Sequence, residues 1–120
     1  NTTGHIGEAI QVYAEGERCS IVRDFCGHGL GDVFHDRPNI LHYGHAGEGA
    51  PLKPGMIFTI EPMINLGKPG VKVLPDGWTA VTRDRSLSAQ FEHSVGVTET
   101  GVEVFTYSPK GLDCPLVARG

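Results

Sequence analysis

The sequence has few cysteines, no long hydrophobic run and no cluster of basic residues, and each shortage excludes a class of protein. Three cysteines in 120 residues, none in Cys-x-x-Cys spacing, form neither a disulfide framework nor a thiolate zinc site, so we expect a reducing, cytoplasmic location. No segment is apolar over the length of a membrane span, and no signal-peptide pattern is present. Lysine and arginine are dispersed and the formal net charge is -4, which disfavours nucleic acid and membrane surfaces as partners.

Motifs of nucleophilic and nucleotide-dependent enzymes are also missing. No Gly-x-Ser-x-Gly sequence occurs, and Cys26 beside His28 carries no further signature of a cysteine peptidase. The glycines at positions 27, 29 and 31 do not have the spacing of a dinucleotide-binding fingerprint. The chemistry of this chain therefore has to be inferred from its acidic and histidine side chains.

The remaining pattern predicts one small α+β domain. With 39% hydrophobic residues the chain can bury a modest core. Ile6, Ile10 and Tyr13 recur at helical spacing and predict a helix over residues 5–15. Antiparallel strands are predicted at 19–25, 40–43, 56–65, 78–82, 90–98 and 102–107, with a hairpin at Thr100-Gly101 joining the last two. Loops are predicted at 28–38 (with at most one helical turn), 44–55, 67–77 and 83–87, and an irregular tail from 108.

Three segments each carry one side chain suited to a divalent metal: His28 in CGHGLG, Glu61 in TIEPM and Glu92 in QFEH. Glu61 lies in an apolar strand, where a carboxylate is costly unless it is paired or binds a metal. A partner arginine or backbone amides would explain Glu61 equally well, and Glu92 alone reads as the solvated side of a sheet. A lone histidine in a turn is more often a cap or a surface residue. Taken together, the three indicate a metallohydrolase.

The other histidines have weaker signals. His35 could donate to a substrate oxygen or cap a turn. His42 and His45 have ligand-like spacing but lie in a glycine-rich loop with no third ligand nearby, and we predict both at the surface. His5 is predicted to be an ordinary helix residue, and His93, adjacent to Glu92, a packed structural one.

Together these segments resemble the C-terminal half of type I (bacterial) methionine aminopeptidases, from about Ile6 to Thr106. The resemblance rests on CGHGLG, FH and HY, then PGMIFTIEPMIN, then DGWTAVTRDRSLSAQFEHSVGVTETGVEVFT. Creatinase and prolidase relatives share the Gly-His-Gly and Glu-Pro elements, but the stretches 63–65, 76–78 and 90–93 favour the methionine enzymes. The short interval between Tyr43 and Pro54 lacks the long insert of type II enzymes.

The resemblance implies a pita-bread fold, in which two related halves enclose two divalent ions (Co, Mn, Fe or Zn). By motif, His28 and Glu61 would bind one ion, Glu92 would bridge both, and Glu61 would also carry the proton. His35 would contact the substrate carbonyl. Phe34 and Trp78 would help to line the pocket for the methionine side chain. Thr59 and Gln90 would support the metal ligands. For Trp78, which follows a tight turn, a core position is the alternative.

The implied activity is removal of the initiator methionine from nascent peptides with a small second residue, with the ribosome a candidate location. In this family two aspartates and a further histidine come from an N-terminal half that residues 1–120 do not contain. We therefore expect the chain to be the C-terminal portion of one catalytic domain, inactive alone, weak in metal binding, and monomeric when complete with its N-terminal half. The alternatives are an Xaa-Pro peptidase and a non-catalytic pita-bread module that binds peptides or proteins.

Overall fold

The N-terminal helix, α1 (Thr3–Gly16), confirms the predicted helix and adds two residues at its start and one at its end. A computed structural model of the chain describes residues 1–110, so Cys114 and the predicted tail beyond Lys110 lie outside the described residues. His5 corrects one prediction, because its Nδ1 accepts the N–H of Thr2 at 3.0 Å and so caps the helix. No helix in residues 1–110 combines the length and the apolar composition needed to cross a membrane.

Ten short strands follow within residues 1–110, all paired antiparallel, as the α+β prediction requires. A five-stranded sheet has the order β10-β9-β4-β2-β3, a three-stranded sheet the order β1-β5-β8, and β6 and β7 form a hairpin. The strands are β1 (Ser20–Ile21), β2 (Gly27–Gly29), β3 (Asp36–Ile40), β4 (Ile57–Ile60), β5 (Met63–Asn65), β6 (Val71–Val73), β7 (Ala80–Thr82), β8 (Ser88–Gln90), β9 (His93–Val97) and β10 (Val102–Val104).

Two long predicted strands are each divided between two sheets. The predicted strand 56–65 ends as β4 at Ile60 and resumes as β5 at Met63, because Pro62 has no N–H to continue a ladder. The predicted strand 90–98 is likewise split between β8 and β9. Glu61 and Glu92 therefore lie where the chain crosses from one sheet to the other. The prediction that each acid lies within a continuous strand was wrong.

The predicted loop 28–38 instead contains most of β2 and most of β3. β2 lies between β3 and β4. Its first and last residues are glycines, which have no side chains, so the backbones of the neighbouring strands can approach closely. A Cβ on Gly27 would collide with the carbonyl of Thr59, and one on Gly29 with the carbonyl of Arg37. Because no apolar alternation marks this segment, its strands were not visible in the sequence.

Smaller differences concern the ends of strands. The predicted strand 19–25 is reduced to β1, β6 lies within a predicted turn, and the extended segment expected at 40–43 ends at Ile40. The hairpin at Thr100-Gly101 is confirmed: β9 pairs with β10, and the N–H of Thr98 donates to the carbonyl of Gly101 at 2.9 Å. β10 ends at Val104 rather than at 107.

The core lies against the five-stranded sheet. Ile40 of β3, Phe58 of β4 and Val95 of β9 are 0%, 2% and 3% exposed and form one cluster. Ile6 packs the helix against it. The core thereby holds together β4 and β9, the two strands that lead into and out of the acidic residues.

The loop after β7 is fastened by Asp84. Its carboxylate accepts the N–H groups of Lys68 (2.8 Å) and Ser86 (3.0 Å), and these bonds lower the pKa of Asp84 from 3.8 to about 2. A lowered native pKa stabilises the fold above pH 3.8, and this contribution is lost as the pH falls through 2. We expect Asp84→Asn to lower the urea midpoint at pH 7, and its difference from the wild type to shrink as the pH falls through 2. A midpoint equal to that of the wild type at pH 7 would contradict this.

Candidate metal centre

His28, Glu61 and Glu92 converge, as the sequence predicted. The antiparallel pairing of Ile60 with His93 places the residue after β4 opposite the residue before β9. β2 lies on the other side of β4 and brings in the imidazole. One potential ligand atom from each of the three residues lies within 4.8 Å of the other two, and His28 Nε2 is 3.7 Å from Glu61 Oε2. The imidazole is buried, Glu61 is partly buried and Glu92 is exposed, so the cluster opens to one side.

Thr59 and Gln90, the implied supporting residues, both contact Glu61. Thr59 Oγ1 accepts the backbone N–H of His28 at 3.0 Å and donates to Glu61 Oε2 at 2.9 Å, so one hydroxyl aligns two of the candidate ligands. Gln90 Nε2 donates to the backbone carbonyl of Glu61 at 3.1 Å. Metal ligands are commonly oriented by such outer hydrogen bonds.

The electrostatics of the cluster fit a divalent cation. Desolvation raises the pKa of Glu61, and the hydrogen bond that protonated Glu61 makes with the Glu92 side chain, together with the negative charge of Glu92, raises it further. The Thr59 hydroxyl and His28 act in the opposite direction. Two carboxyl groups this close share a proton unless a cation neutralises them. Two carboxylates and one imidazole are a donor set suited to Mn, Fe, Co or Zn.

Phe34 and His35 lie beside the candidate ligand His28. The ring centroids of Phe34 and His35 are 5.3 Å and 4.4 Å from that of His28, and 4.5 Å from each other. Trp78, in contrast, is 88% exposed in the turn between β6 and β7, so the alternative of a core position was wrong. Its backbone N–H donates to Asp76 Oδ1. Among residues 1–110, the ring contacts of His28 involve Phe34 and His35 but not Trp78.

His42 was predicted at the surface, and this prediction was wrong; its contact with Glu61 was not predicted at all. It is 1% exposed rather than at the surface, and its Nε2 accepts the backbone N–H of Glu61 at 3.1 Å. Burial lowers its pKa from 6.5 to about 4, so the ring is neutral at neutral pH. One signal was available in the sequence. If the two-residue alternation of β3 continues past its end, His42 lies on the same buried face as Ile40.

Two other histidines lie as predicted. His45 is exposed. The Nδ1 of His93 lies 2.8 Å from Thr106 Oγ1, and its ring centroid is 6.1 Å from that of Tyr107. The side chain of His93, at the start of β9, therefore packs against the segment after β10.

The raised pKa of Glu61 can be tested on the metal-free chain. Glu92→Gln removes the neighbouring charge and offers an amide donor to the carboxylate, so we expect it to move the pKa of Glu61 downward while burial keeps part of the shift. A raised native pKa favours folding below pH 4.5 and loses that contribution as the pH passes the native value, so E92Q should also flatten this part of the stability profile. Carbon-13 NMR titration of the Glu61 carboxyl measures the shift, with Glu103→Gln on β10 as the matched control. An unchanged Glu61 titration in E92Q would contradict the coupling.

Comparison with known sequences identifies a family. Residues 1–99 match the profile of "Metallopeptidase family M24". The chain is 60% identical over 113 residues to a methionine aminopeptidase of Rickettsia prowazekii, covering 93% of this chain and 44% of that protein. It is 54% identical over 101 residues to the methionine aminopeptidase of Escherichia coli strain K12, covering 84% and 38% respectively. The chain therefore spans about two fifths of the length of these relatives.

Solved structures agree with the sequence match. The crystal structure of the Rickettsia prowazekii methionine aminopeptidase has a TM-score of 0.85 at 58% identity, over 88% of this chain and 43% of that one. The methionine aminopeptidase of Thermotoga maritima has a TM-score of 0.83 at 43% identity, over 86% and 41%. One helix and antiparallel sheets thus form part of a pita-bread domain. Because the matched region includes the three converging side chains, this chain belongs to metallopeptidase family M24.

Proposed function

We propose that this chain supplies three ligands to the metal centre of a methionine aminopeptidase. The enzyme would remove the initiator methionine from nascent peptides with a small second residue. The observation that carries the proposal is the convergence of His28, Glu61 and Glu92, with their ligand atoms within 4.8 Å. The names of the relatives and the Phe34–His35 wall beside this cluster support it.

The proposed centre holds two divalent ions. His28 and Glu61 would bind one and Glu92 would lie between both. When bound, such ions polarise the scissile carbonyl and lower the pKa of a water molecule. The donor set admits Co, Mn, Fe or Zn without choosing among them.

The residues of this chain have distinct roles in that proposal. Glu61 would accept a proton at a carboxylate oxygen and deliver it to the leaving amine. Thr59 holds Oε2 of Glu61 during this transfer, and Gln90 holds its backbone. His35 would donate a hydrogen bond to the substrate carbonyl. Phe34 would line the pocket for the methionine side chain, and Trp78 would do so from the turn between β6 and β7.

The proposal requires a second polypeptide segment. The resemblance assigns two aspartates and a histidine to an N-terminal half, and this chain spans 44% or less of the relatives compared. The proposed partners are that half and the nascent peptide, at the ribosome and in the cytoplasm, with the assembled enzyme monomeric. The chain alone should release no methionine from Met-Ala-Ser in Mn²⁺ or Co²⁺.

A graft tests the proposal directly. The matching segment of the Rickettsia prowazekii enzyme would be replaced by this chain, to which it is 60% identical. We expect the graft to release methionine from Met-Ala-Ser with Mn²⁺ or Co²⁺ and to leave an Xaa-Pro peptide intact. Faster cleavage of the Xaa-Pro peptide would favour the alternative peptidase. A folded graft that binds Met-Ala-Ser without cleaving it would favour the non-catalytic module.

A further inference from the structure

We infer that His42 is a positioning residue for Glu61: it holds the backbone at the crossing between two sheets and so aims the carboxylate at His28 and Glu92. The inference rests on the proposed metal centre. It goes beyond the roles that the resemblance assigns to any residue of this chain.

The backbone at Glu61 has few partners for its N–H group. The ladder between β4 and β9 ends with the pair Ile60 and His93, and the next strand, β5, belongs to the other sheet. Pro62 has no N–H of its own. A buried backbone donor at such a break is costly if it is left unpaired. His42 Nε2 accepts this N–H at 3.1 Å.

His42 is itself fixed in place. It follows β3, whose residues Asn39 and Ile40 pair with His28 and Gly27 of β2. The side chain is 1% exposed, so the ring has little freedom to change rotamer. Because Nε2 accepts, the ring must be neutral and carry its proton on Nδ1. The strand that pairs with His28 thus also provides the group that holds Glu61.

The hydrogen bond from His42 complements the two bonds already described. Gln90 Nε2 binds the carbonyl of Glu61, Thr59 Oγ1 binds its carboxylate, and His42 binds its N–H. Of these three groups, only the imidazole binds the backbone N–H of Glu61. A change of the backbone torsion angles at this point would move the whole side chain. Losing the imidazole would leave Glu61 held through its carbonyl by Gln90 and through its carboxylate by Thr59, with no partner on the N–H side.

Three variants separate positioning from packing. His42→Leu fills a similar volume without an acceptor, and His42→Gln restores an acceptor oxygen near the position of Nε2. Thr82→Val is the matched control: Thr82 is a buried polar residue on β7 whose hydroxyl donates to the carbonyl of Ser86 at 2.8 Å, away from the acids. Thermal unfolding of each variant measures stability. Titration of the grafted enzyme carrying each substitution with Mn²⁺, followed by paramagnetic broadening of the amide signals near His28, measures affinity.

We expect H42L to weaken Mn²⁺ binding by about 10–100-fold, H42Q to recover most of that loss, and T82V to bind as the wild type does despite its lower melting temperature. An HNN-COSY spectrum should show a coupling across the hydrogen bond between Glu61 N and His42 Nε2. Absence of this coupling would overturn the inference. If H42L and H42Q both bind Mn²⁺ as tightly as the wild type, or lose affinity equally, the positioning role fails while the metal centre stands. If the graft with His42 intact shows the coupling but no Mn²⁺ binding, the proposed metal centre fails and the inference fails with it.

Discussion

Replacing Glu61 with glutamine should lower kcat/KM of the grafted enzyme for Met-Ala-Ser by about 100- to 10,000-fold, the usual contribution of a positioned proton carrier. Glutamine nearly preserves the shape of the side chain: its amide oxygen can still accept from Thr59 Oγ1, and Gln90 still binds the backbone carbonyl of residue 61. It cannot accept the proton, and it removes one negative charge from the candidate ligands. Initial rates at saturating Mn²⁺ measure the effect, because saturation separates lost catalysis from weakened metal binding.

The matched control for E61Q is Glu103→Gln. Glu103 is exposed on β10 and pairs with Gly96, outside the cluster of three ligands. We expect E103Q to retain the wild-type kcat/KM. If E61Q kept its activity within a few-fold of E103Q, Glu61 would not be the proton carrier, and Glu92 would become the carboxylate to test.

Truncating Phe58 to alanine should lower the free energy of unfolding of the chain by about 3–5 kcal/mol, the range for a buried phenylalanine. Phe58 is 2% exposed and is packed between Ile40 and Val95 in the core cluster. Domains of this size have only about 5–15 kcal/mol of total stability, so this loss removes a large part of it. Urea unfolding followed by circular dichroism measures the change.

The neighbouring residue gives the control for F58A. Ile57 is on the same strand but is 42% exposed, so Ile57→Ala should cost about 1 kcal/mol or less. Equal destabilisation by the two substitutions would show that strand propensity, rather than burial in this core, dominates. A loss in F58A well below 3 kcal/mol would indicate that the surrounding side chains collapse into the space.

The resemblance to the methionine aminopeptidases was visible in short motifs, and these also contained the three side chains that converge. Three local features can be recognised without knowing how the sheets pair: the glycines on both sides of His28, the proline after Glu61 and the sequence around Glu92. The helix was equally local, since its apolar residues recur every three to four positions. These predictions succeeded because the information lies within a few neighbouring residues.

The strand predictions failed where the fold itself interrupts the pattern. Residues 56–65 are mostly apolar, and nothing in their periodicity marks the crossing at Glu61 from a five-stranded to a three-stranded sheet. Gly27 and Gly29 form a strand because two neighbouring backbones approach them closely, and glycine has no side chain to signal this. His42 was assigned to the surface because its neighbours are loop residues, although its ring is buried against Glu61.

The sequence by itself determined the helix, the three candidate ligands and the resemblance to a family, because each depends on residue types at fixed local spacing. Only the tertiary structure decided which groups meet. The pairing of Ile60 with His93 brings Glu61 opposite Glu92, and β2 adds His28 from the other side. Thr59, Gln90 and His42 then fix Glu61 by hydrogen bonds between residues 2, 29 and 19 positions apart. The two longer-range contacts depend on strand register and on the crossing between sheets, which are properties of the whole fold and not of any one segment.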